Sequence, residues 1–236
     1  RCLADTGKKV LLVDADAQGS VAAILGLRPE LHLYDFLIGK LRLSECITRA
    51  HERIDVICSN RQTTEAEAII QAQTLREMVF ANLFSPYDHL YDAILIDVAP
   101  SITLFQTCAM MYTRRVLIPV GMEPLSFQGA TASINATETL TRLFRTGVQC
   151  LALLPVMVNR RLALTETITG MLEILAAEKN IPLLPAIRTD ATVAKAMKSK
   201  KFLADYDPKS KALEDYTEAT RQVLALIEAA DAAAFQ

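Results

Sequence analysis

Two short apolar runs of the sequence each end in aspartate. Residues 10–13 are all aliphatic and lead into Asp14 and Asp16, and residues 93–96 lead in the same way into Asp97. Runs that are apolar on both faces are typical of central strands in a parallel sheet. Because open α/β sheets hold their ligands at the carboxyl ends of the strands, both runs place acids where a ligand is expected.

Strand-like and helix-like segments alternate along almost the whole chain. Strands are predicted at residues 9–14, 54–58, 92–97, 115–120 and 148–158. Residues 44–50 are predicted to form a short helix, and Ser101 is predicted to cap the helix that follows the third strand. This alternation predicts an α/β fold, with a three-layer, mostly parallel twisted sheet and helices on both faces.

Composition favours one large domain over residues 1–236, since 51% of the 236 residues are hydrophobic. The net charge of -2 would not attract nucleic acid, so any such binding needs a local basic patch. The five cysteines form no CxxC pair, which favours reduced thiols, and the three isolated histidines do not suggest a metal site. No apolar run approaches the ~20 residues that cross a bilayer.

The paired acids Asp14 and Asp16 have two interpretations. Phosphoryl transfer from ATP needs one polar group near Mg²⁺ and another that orients the attacking water, and two neighbouring carboxylates suit both tasks. Acids at strand ends are equally common as caps of the next helix, where they accept hydrogen bonds from free backbone N–H groups. Taken alone, the two residues leave both interpretations open.

Four segments resemble, in the same order, motifs of the ParA/Soj/MinD family of deviant Walker ATPases. Residues 10–20 (VLLVDADAQGS) resemble its second nucleotide motif, LLVDxDPQGN, and residues 91–101 (YDAILIDVAPS) resemble its Walker B segment, YDYIIIDCPPS. Residues 115–120 resemble the DxVLVPV strand and residues 206–212 the YDPxSKGA stretch. The resemblance implies a P-loop NTPase-like fold with ATP and Mg²⁺ as cofactors.

By this resemblance, the acids acquire separate roles. Asp16 is expected to orient the water that attacks the γ-phosphate, and Asp14 to support the phosphate and magnesium region. Asp97 matches the Walker B acid and is expected to hold Mg²⁺ through its water shell. Gln18 fits the family motif as a cofactor-binding residue, and Ser101 either contacts the same network or only caps its helix.

Adenine is expected to contact residues later in the chain. Asn159 follows a predicted strand where the family places a polar base contact, although it is equally suited to a turn. Arg188 and Thr189 lie where the family often has PRN; Arg188 matches that pattern and Thr189 departs from it. We therefore expect Asn159, Arg188 and Thr189 to bind the cofactor.

The phosphate-binding loop of the family, KGGVGKT, occurs nowhere in residues 1–236. Residues 1–5 resemble the last turn of the helix that follows this loop in the family. We interpret the first strand and the loop as lost by truncation, and we expect this chain by itself to bind and hydrolyse ATP poorly or not at all.

Four lysines lie close together near the carboxyl end, namely Lys195, Lys198, Lys200 and Lys201. A run of charge is usually a solvated face. The resemblance implies instead that an ATP-bound homodimer offers basic residues of this region to nonspecific DNA. It also implies that a ParB-type centromere-binding protein stimulates hydrolysis. The expected function is the partition of plasmid or chromosomal DNA, in the cytoplasm at the nucleoid.

Two other functions remain open at this point. A relative with the same ATP-dependent switch would position a protein cargo without DNA, and a non-catalytic remnant would serve only regulation or structure. Membrane attachment through the tail is not expected, because residues 218–236 contain a single basic residue, Arg221.

Overall fold

The computed structural model describes residues 1–100 and 103–234, so that the predicted cap Ser101 lies outside the described residues. The chain divides into two compact units. Unit 1 comprises residues 1–113 and 196–202, and unit 2 comprises residues 114–195 and 203–236. The prediction of a single nucleotide-binding domain stays a prediction.

Unit 1 is built on a four-stranded sheet in the order β2-β3-β1-β4. Strands β3, β1 and β4 are parallel, and β2 is antiparallel to β3. The strands are β1 (Val10–Asp14), β2 (Ile47–His51), β3 (Ile54–Ile57) and β4 (Ala93–Asp97). The helices are α1 (Cys2–Asp5), α2 (Ser20–Leu25), α3 (Leu33–Leu37), α4 (Leu43–Cys46), α5 (Gln62–Gln71), α6 (Val79–Phe84) and α7 (Leu104–Thr113), with 3-10 turns at Arg76–Met78 and Ser85–Leu90.

Both faces of this sheet are covered by helices, because successive side chains of β1 point to opposite sides. Leu11 and Val13 belong to a large core that includes Phe80 and Phe84 of α6. Leu12 packs on the other side, in a smaller core with residues of α1 and α2. Because both faces of β1 are buried against apolar side chains, residues 10–13 are all aliphatic.

The helix predicted at residues 44–50 is wrong over most of its length. Helix α4 ends at Cys46, and residues 47–51 form β2 instead. Pairing with β3 explains the difference, since Arg49 of β2 lies opposite the buried Asp55 and its Nε is 2.5 Å from Asp55 Oδ1. This partner lies in another strand and is invisible to a local helical pattern.

Unit 2 contains the parallel strands β5 (Arg115–Gly121) and β6 (Gln149–Val156). Its helices are α8 (Pro124–Phe144), α9 (Ala163–Lys179), α10 (Ala191–Lys198), α11 (Leu203–Tyr206) and α12 (Lys211–Ala234), of which α10 ends in unit 1. Leu153 of β6 packs in a core with α8 and α9, whereas Ala152 packs on the opposite side with α12. Parallel strands with helices on both faces confirm the predicted α/β class.

None of the helices within residues 1–100 and 103–234 combines the length and the apolar character that crossing a bilayer requires.

Candidate nucleotide site

The two acidic strand ends lie side by side in unit 1. Strands β1 and β4 pair in parallel with Asp14 opposite Asp97. The pairing continues one residue further, where the Ala15 N–H donates to the Asp97 carbonyl over 2.8 Å. The register therefore brings Asp14 and Asp97 to the same edge of the sheet, as the sequence predicted.

Asp14 is buried and holds the loop that follows it. Its Oδ1 accepts a hydrogen bond from the Asp16 N–H at 3.2 Å, and its Oδ2 accepts one from the Val21 N–H at 3.3 Å. Burial raises the pKa of Asp14, and these two hydrogen bonds offset part of that rise. The carboxylate thus joins the strand end, the loop and the first turn of α2.

Asp16 is held mainly through its backbone. Its carbonyl accepts hydrogen bonds from the Gly19 N–H at 3.0 Å and from the Ser59 hydroxyl. Its Oδ1 accepts the Gln18 N–H at 2.9 Å, while its Oδ2 accepts no hydrogen bond from the described residues. An acid that orients a water needs a fixed backbone and a carboxylate oxygen that can accept a hydrogen bond from that water, and Asp16 has both.

Asp97 lies close enough to Asp16 for the two charges to interact. Partial desolvation raises the pKa of Asp97, and repulsion from the Asp16 carboxylate raises it further. Carboxylate oxygens are hard donors, and a divalent cation would stabilise the ionised form of Asp97. The residues of unit 1 therefore fit the magnesium ion that the resemblance implies.

In unit 2, the structure brings the three predicted base-binding residues to one cavity of about 780 Å³. Its lining consists of Val158, Asn159, Arg160, Arg161, Pro185, Ala186, Arg188, Thr189 and Asp215. Asn159 Oδ1 accepts the Arg161 N–H at 3.2 Å, which leaves the amide nitrogen of Asn159 as a free donor among the described residues. The Thr189 N–H donates to the Val158 carbonyl at 3.0 Å and fixes the loop beside the cavity.

Arg188 is already engaged within the protein. Its Nε and Nη2 donate to the two carboxylate oxygens of Asp215 at 2.6 and 2.7 Å, and its backbone N–H donates to Oδ2 at 3.0 Å. This pair lowers the pKa of Asp215 and raises that of Arg188. A bidentate pair of this kind fixes the guanidinium plane of Arg188 beside the cavity that both residues line.

Asp190 joins the loop beside the cavity to two helices. Its Oδ1 accepts hydrogen bonds from the Thr192 N–H at 2.8 Å and the Thr192 hydroxyl at 2.5 Å, at the start of α10. Its Oδ2 accepts the Ser210 hydroxyl at 3.0 Å and the Ala212 N–H at 3.3 Å, at the start of α12. One carboxylate thus satisfies free backbone donors of both helices.

The four predicted DNA-binding lysines are all exposed. Lys195 lies in the part of α10 that belongs to unit 2, and Lys198, Lys200 and Lys201 lie in unit 1. The stem of Lys200 packs over Gly26, where an added Cβ would lie 2.8 Å from Lys200 Cδ. A packed stem and an exposed ammonium group leave its charge available at the surface.

A family model described as an AAA domain matches residues 1–150, which is more than half of the chain. Among curated relatives, the sporulation initiation inhibitor protein Soj of Bacillus subtilis is 28% identical over 228 residues, covering 95% of this chain and 89% of Soj. Two uncharacterised Pseudomonas putida relatives are 28% identical over 175 residues, covering 72% of this chain, and the chain spans only 66% of their length.

Solved structures of similar fold contain bound nucleotide. A complex of a Cyanothece McdA variant with ATP superposes with a TM-score of 0.82 at 15% identity, covering 96% of this chain and 87% of that one. Pyrococcus horikoshii MinD with Mg-ADP gives 0.73 at 19% identity, covering 94% and 86%. At these identities the likeness is one of fold. The chain belongs to the AAA domain family, as a ParA/Soj-like member, which confirms the family that its motifs predicted.

Sequence analysis missed three residues that hold these loops, namely Ser59, Asp190 and Asp215. Ser59 follows β3, which neighbours β1 in the sheet, so a polar residue after the second predicted strand was the available signal. Asp190 and Asp215 lie 22 and 27 residues from the donors that they bind, Ala212 and Arg188. Only the folded chain shows these pairs.

We expect the Gly19→Ala substitution to loosen the loop at residues 15–21. Gly19 has φ +63, and an added Cβ would lie 2.8 Å from the Ser59 carbonyl oxygen, so the variant combines backbone strain with a clash. Gly7 has φ +90 but no atom within 4 Å of an added Cβ, so Gly7→Ala has the strain alone, roughly 1–2 kcal/mol.

Hydrogen exchange measured by mass spectrometry checks this expectation. Gly19→Ala should speed exchange at residues 15–21, and urea unfolding should show a greater loss of stability than for Gly7→Ala. Equal effects of the two substitutions would contradict the close packing of Gly19 on Ser59.

A second expectation concerns Asp190→Ala, which should destabilise the protein at pH 7 by about 1 kcal/mol for each helix start that loses its acceptor. The hydrogen bonds lower the pKa of Asp190 to about 2, below its unfolded value of about 3.9. Its contribution to stability is therefore present above about pH 4 and is lost as the pH falls towards 2.

Urea unfolding at pH 7 and at pH 3 measures this difference. The difference in the free energy of unfolding between the native protein and Asp190→Ala should be smaller at pH 3 than at pH 7. Asp207→Ala is the matched control, since Asp207 Oδ1 accepts only the Lys209 N–H among the described donors. A difference that stays constant with pH, or an equal pH-dependent difference for Asp207→Ala, would refute the claim that Asp190 caps both helices.

Proposed function

We propose that this protein is a ParA/Soj-like ATPase that uses ATP-dependent dimerisation and nonspecific DNA binding to partition plasmid or chromosomal DNA. The observation that supports it most is the loop of unit 1, which presents an open Asp16 carboxylate oxygen beside Asp97. The family assignment and the nucleotides in structures of similar fold support ATP as the substrate.

In the proposed reaction, Asp16 accepts a hydrogen bond from the attacking water and directs its oxygen toward the γ-phosphorus. Asp97 would hold Mg²⁺ through water ligands, and the ion would supply charge neutralisation at the phosphate oxygens. Asp14 supports this region indirectly, because its buried carboxylate fixes the Asp16 N–H and the start of α2. Gln18 lies exposed in the same loop, where its side chain is free to approach the nucleotide.

The base is proposed to bind in the cavity of unit 2. The free amide donor of Asn159 and the carbonyl of Thr189, whose N–H is already bonded to Val158, offer hydrogen bonds to a purine edge. Arg188, fixed by Asp215, offers a flat guanidinium plane on which an aromatic base can stack. The volume of about 780 Å³ lies within the range of small-molecule sites.

We propose that the phosphate loop and its strand are supplied by sequence beyond residues 1–236. Strand β4 is the last strand of its sheet among the described residues, and its central Leu95 is 45% exposed. A further parallel strand on this edge would cover that side chain. The chain alone should then hydrolyse ATP far more slowly than the product of the full reading frame, whereas equal rates would contradict this part of the proposal.

In the full-length protein, Asp16→Ala should lower kcat by about 10²–10⁴-fold while ATP still binds, because the acid acts on the water and not on the nucleotide. Phosphate release and ATP binding measure the two effects. Asp92→Asn is the control, since this acid precedes β4, at the end of that strand opposite to Asp97, and its Oδ2 accepts the Lys9 N–H at 2.7 Å. Unimpaired turnover in Asp16→Ala would overturn the role of Asp16.

Replacing Lys195, Lys198 and Lys201 with Gln should weaken ATP-dependent DNA binding and flatten its salt dependence. Each lost phosphate contact lowers the slope of log K against log salt by about 0.9, which gives a reduction of roughly 3 for the three lysines. A DNA pelleting assay at several salt concentrations reads both quantities.

Neutralising Lys8, Lys40 and Arg42, which lie elsewhere in the sequence of unit 1, is the control of equal charge for this test. If the lysines near the carboxyl end bind DNA phosphates, this control triple variant should keep the native slope of log K against log salt. If the lysine variant also keeps it, the DNA role fails, and positioning of a protein cargo becomes the better account of the switch. The proposed homodimer and ParB-type partner, and a location in the cytoplasm at the nucleoid, rest on the family resemblance.

A further inference from the structure

Ser59 contacts the Asp16 loop at two points, although it lies more than forty residues away in sequence. It follows β3 at the carboxyl edge of the sheet, and its side chain is buried. Its hydroxyl donates to the Asp16 carbonyl, and its own carbonyl oxygen lies where a Cβ on Gly19 would be 2.8 Å away. Ser59 therefore contacts both ends of the segment from Asp16 to Gly19.

These contacts determine where the Asp16 carboxylate can lie. The Asp16 backbone is held by Asp14 on its N–H side and by Ser59 and Gly19 on its carbonyl side. With both peptide groups fixed, only the χ angles of Asp16 remain free. The hydroxyl of Ser59 is the one side-chain donor to this carbonyl among the described residues, and without it that side depends on the Gly19 N–H alone.

We propose that Ser59 is a positioning residue for Asp16, acting on the water-orienting carboxylate through the backbone of the loop. The inference rests on the proposed ATPase function. Ser59 itself touches neither nucleotide nor water in this account. A misplacement of about 1 Å in a reacting group is enough to reduce a rate about 10²-fold, so loss of one anchoring hydrogen bond should lower turnover without weakening ATP binding.

A purely structural Ser59 would behave differently. Removing a buried hydroxyl would then lower the stability of unit 1 and the number of active sites, while kcat, counted per ATP-binding site here and in the variants below, stayed unchanged. A positioning role lowers kcat selectively, with KM unchanged, because the lost interaction acts only in the transition state.

The pair Ser59→Thr and Ser59→Val separates these outcomes in the full-length protein. Both side chains have the same shape and differ only in that threonine keeps the hydroxyl, so crowding at the buried site affects both equally. We expect Ser59→Val to lower kcat about tenfold or more relative to Ser59→Thr, with KM for ATP within about twofold. Equal kcat values, or a change that appears only in KM, would overturn the proposal.

Ser85→Ala is the matched control, because the Ser85 hydroxyl also donates to a backbone carbonyl, that of Ala81 at 2.6 Å, in a helix away from the loop. It should leave kcat unchanged. A tenfold loss in Ser85→Ala would show that any serine-to-carbonyl bond in unit 1 has this effect, and it would overturn the specific role of Ser59.

Hydrogen exchange on the same variants distinguishes failure of this inference from failure of the proposed function. Ser59→Val should exchange faster than Ser59→Thr at residues 15–21, whether or not the protein hydrolyses ATP. If exchange differs but Asp16→Ala hydrolyses ATP as the native protein does, the ATPase role of Asp16 fails while Ser59 still positions the loop. If exchange is the same in both variants, the positioning role fails.

Discussion

The buried carboxylate of Asp14 is the contact on which the candidate site depends. It lies at the end of a central strand, where solvent does not reach it, and burial raises its pKa. The folded chain offsets this cost by directing N–H groups of the loop and of α2 at its two oxygens. The loop therefore takes the one path that brings its donors to Asp14, and that path carries Asp16 to the sheet edge beside Asp97.

The three acids have different environments, and the differences suggest a division of roles. Both carboxylate oxygens of Asp14 accept hydrogen bonds from backbone N–H groups, so the contacts of Asp14 are structural. Asp16 keeps an oxygen open among the described residues, and Asp97 is destabilised as an ion by desolvation and by Asp16. A bound cation would relieve the repulsion that Asp97 experiences from Asp16.

The sequence predicted the strands that carry the acids and the placement of Asp14 and Asp97 at the carboxyl edge of the sheet, because aliphatic runs and strand-end chemistry are local signals. It could not distinguish a structural Asp14 from an open Asp16, since that distinction depends on Val21 and Ser59. The strand at residues 47–51 was mistaken for a helix because its stabilising partner, Asp55, lies in the neighbouring strand. Arg188 was predicted as a base contact, and its pairing with Asp215 emerged only from the fold.

A crystal structure of the protein with Mg²⁺ and a non-hydrolysable ATP analogue would test the division of roles most directly. We expect Asp14 to remain bound to the N–H groups of Asp16 and Val21, Asp16 to face a water next to the γ-phosphate, and Asp97 to lie in the water shell of the ion. Asp14 released from the loop and placed on the ion or the phosphate, with Asp16 turned away from the nucleotide, would contradict it.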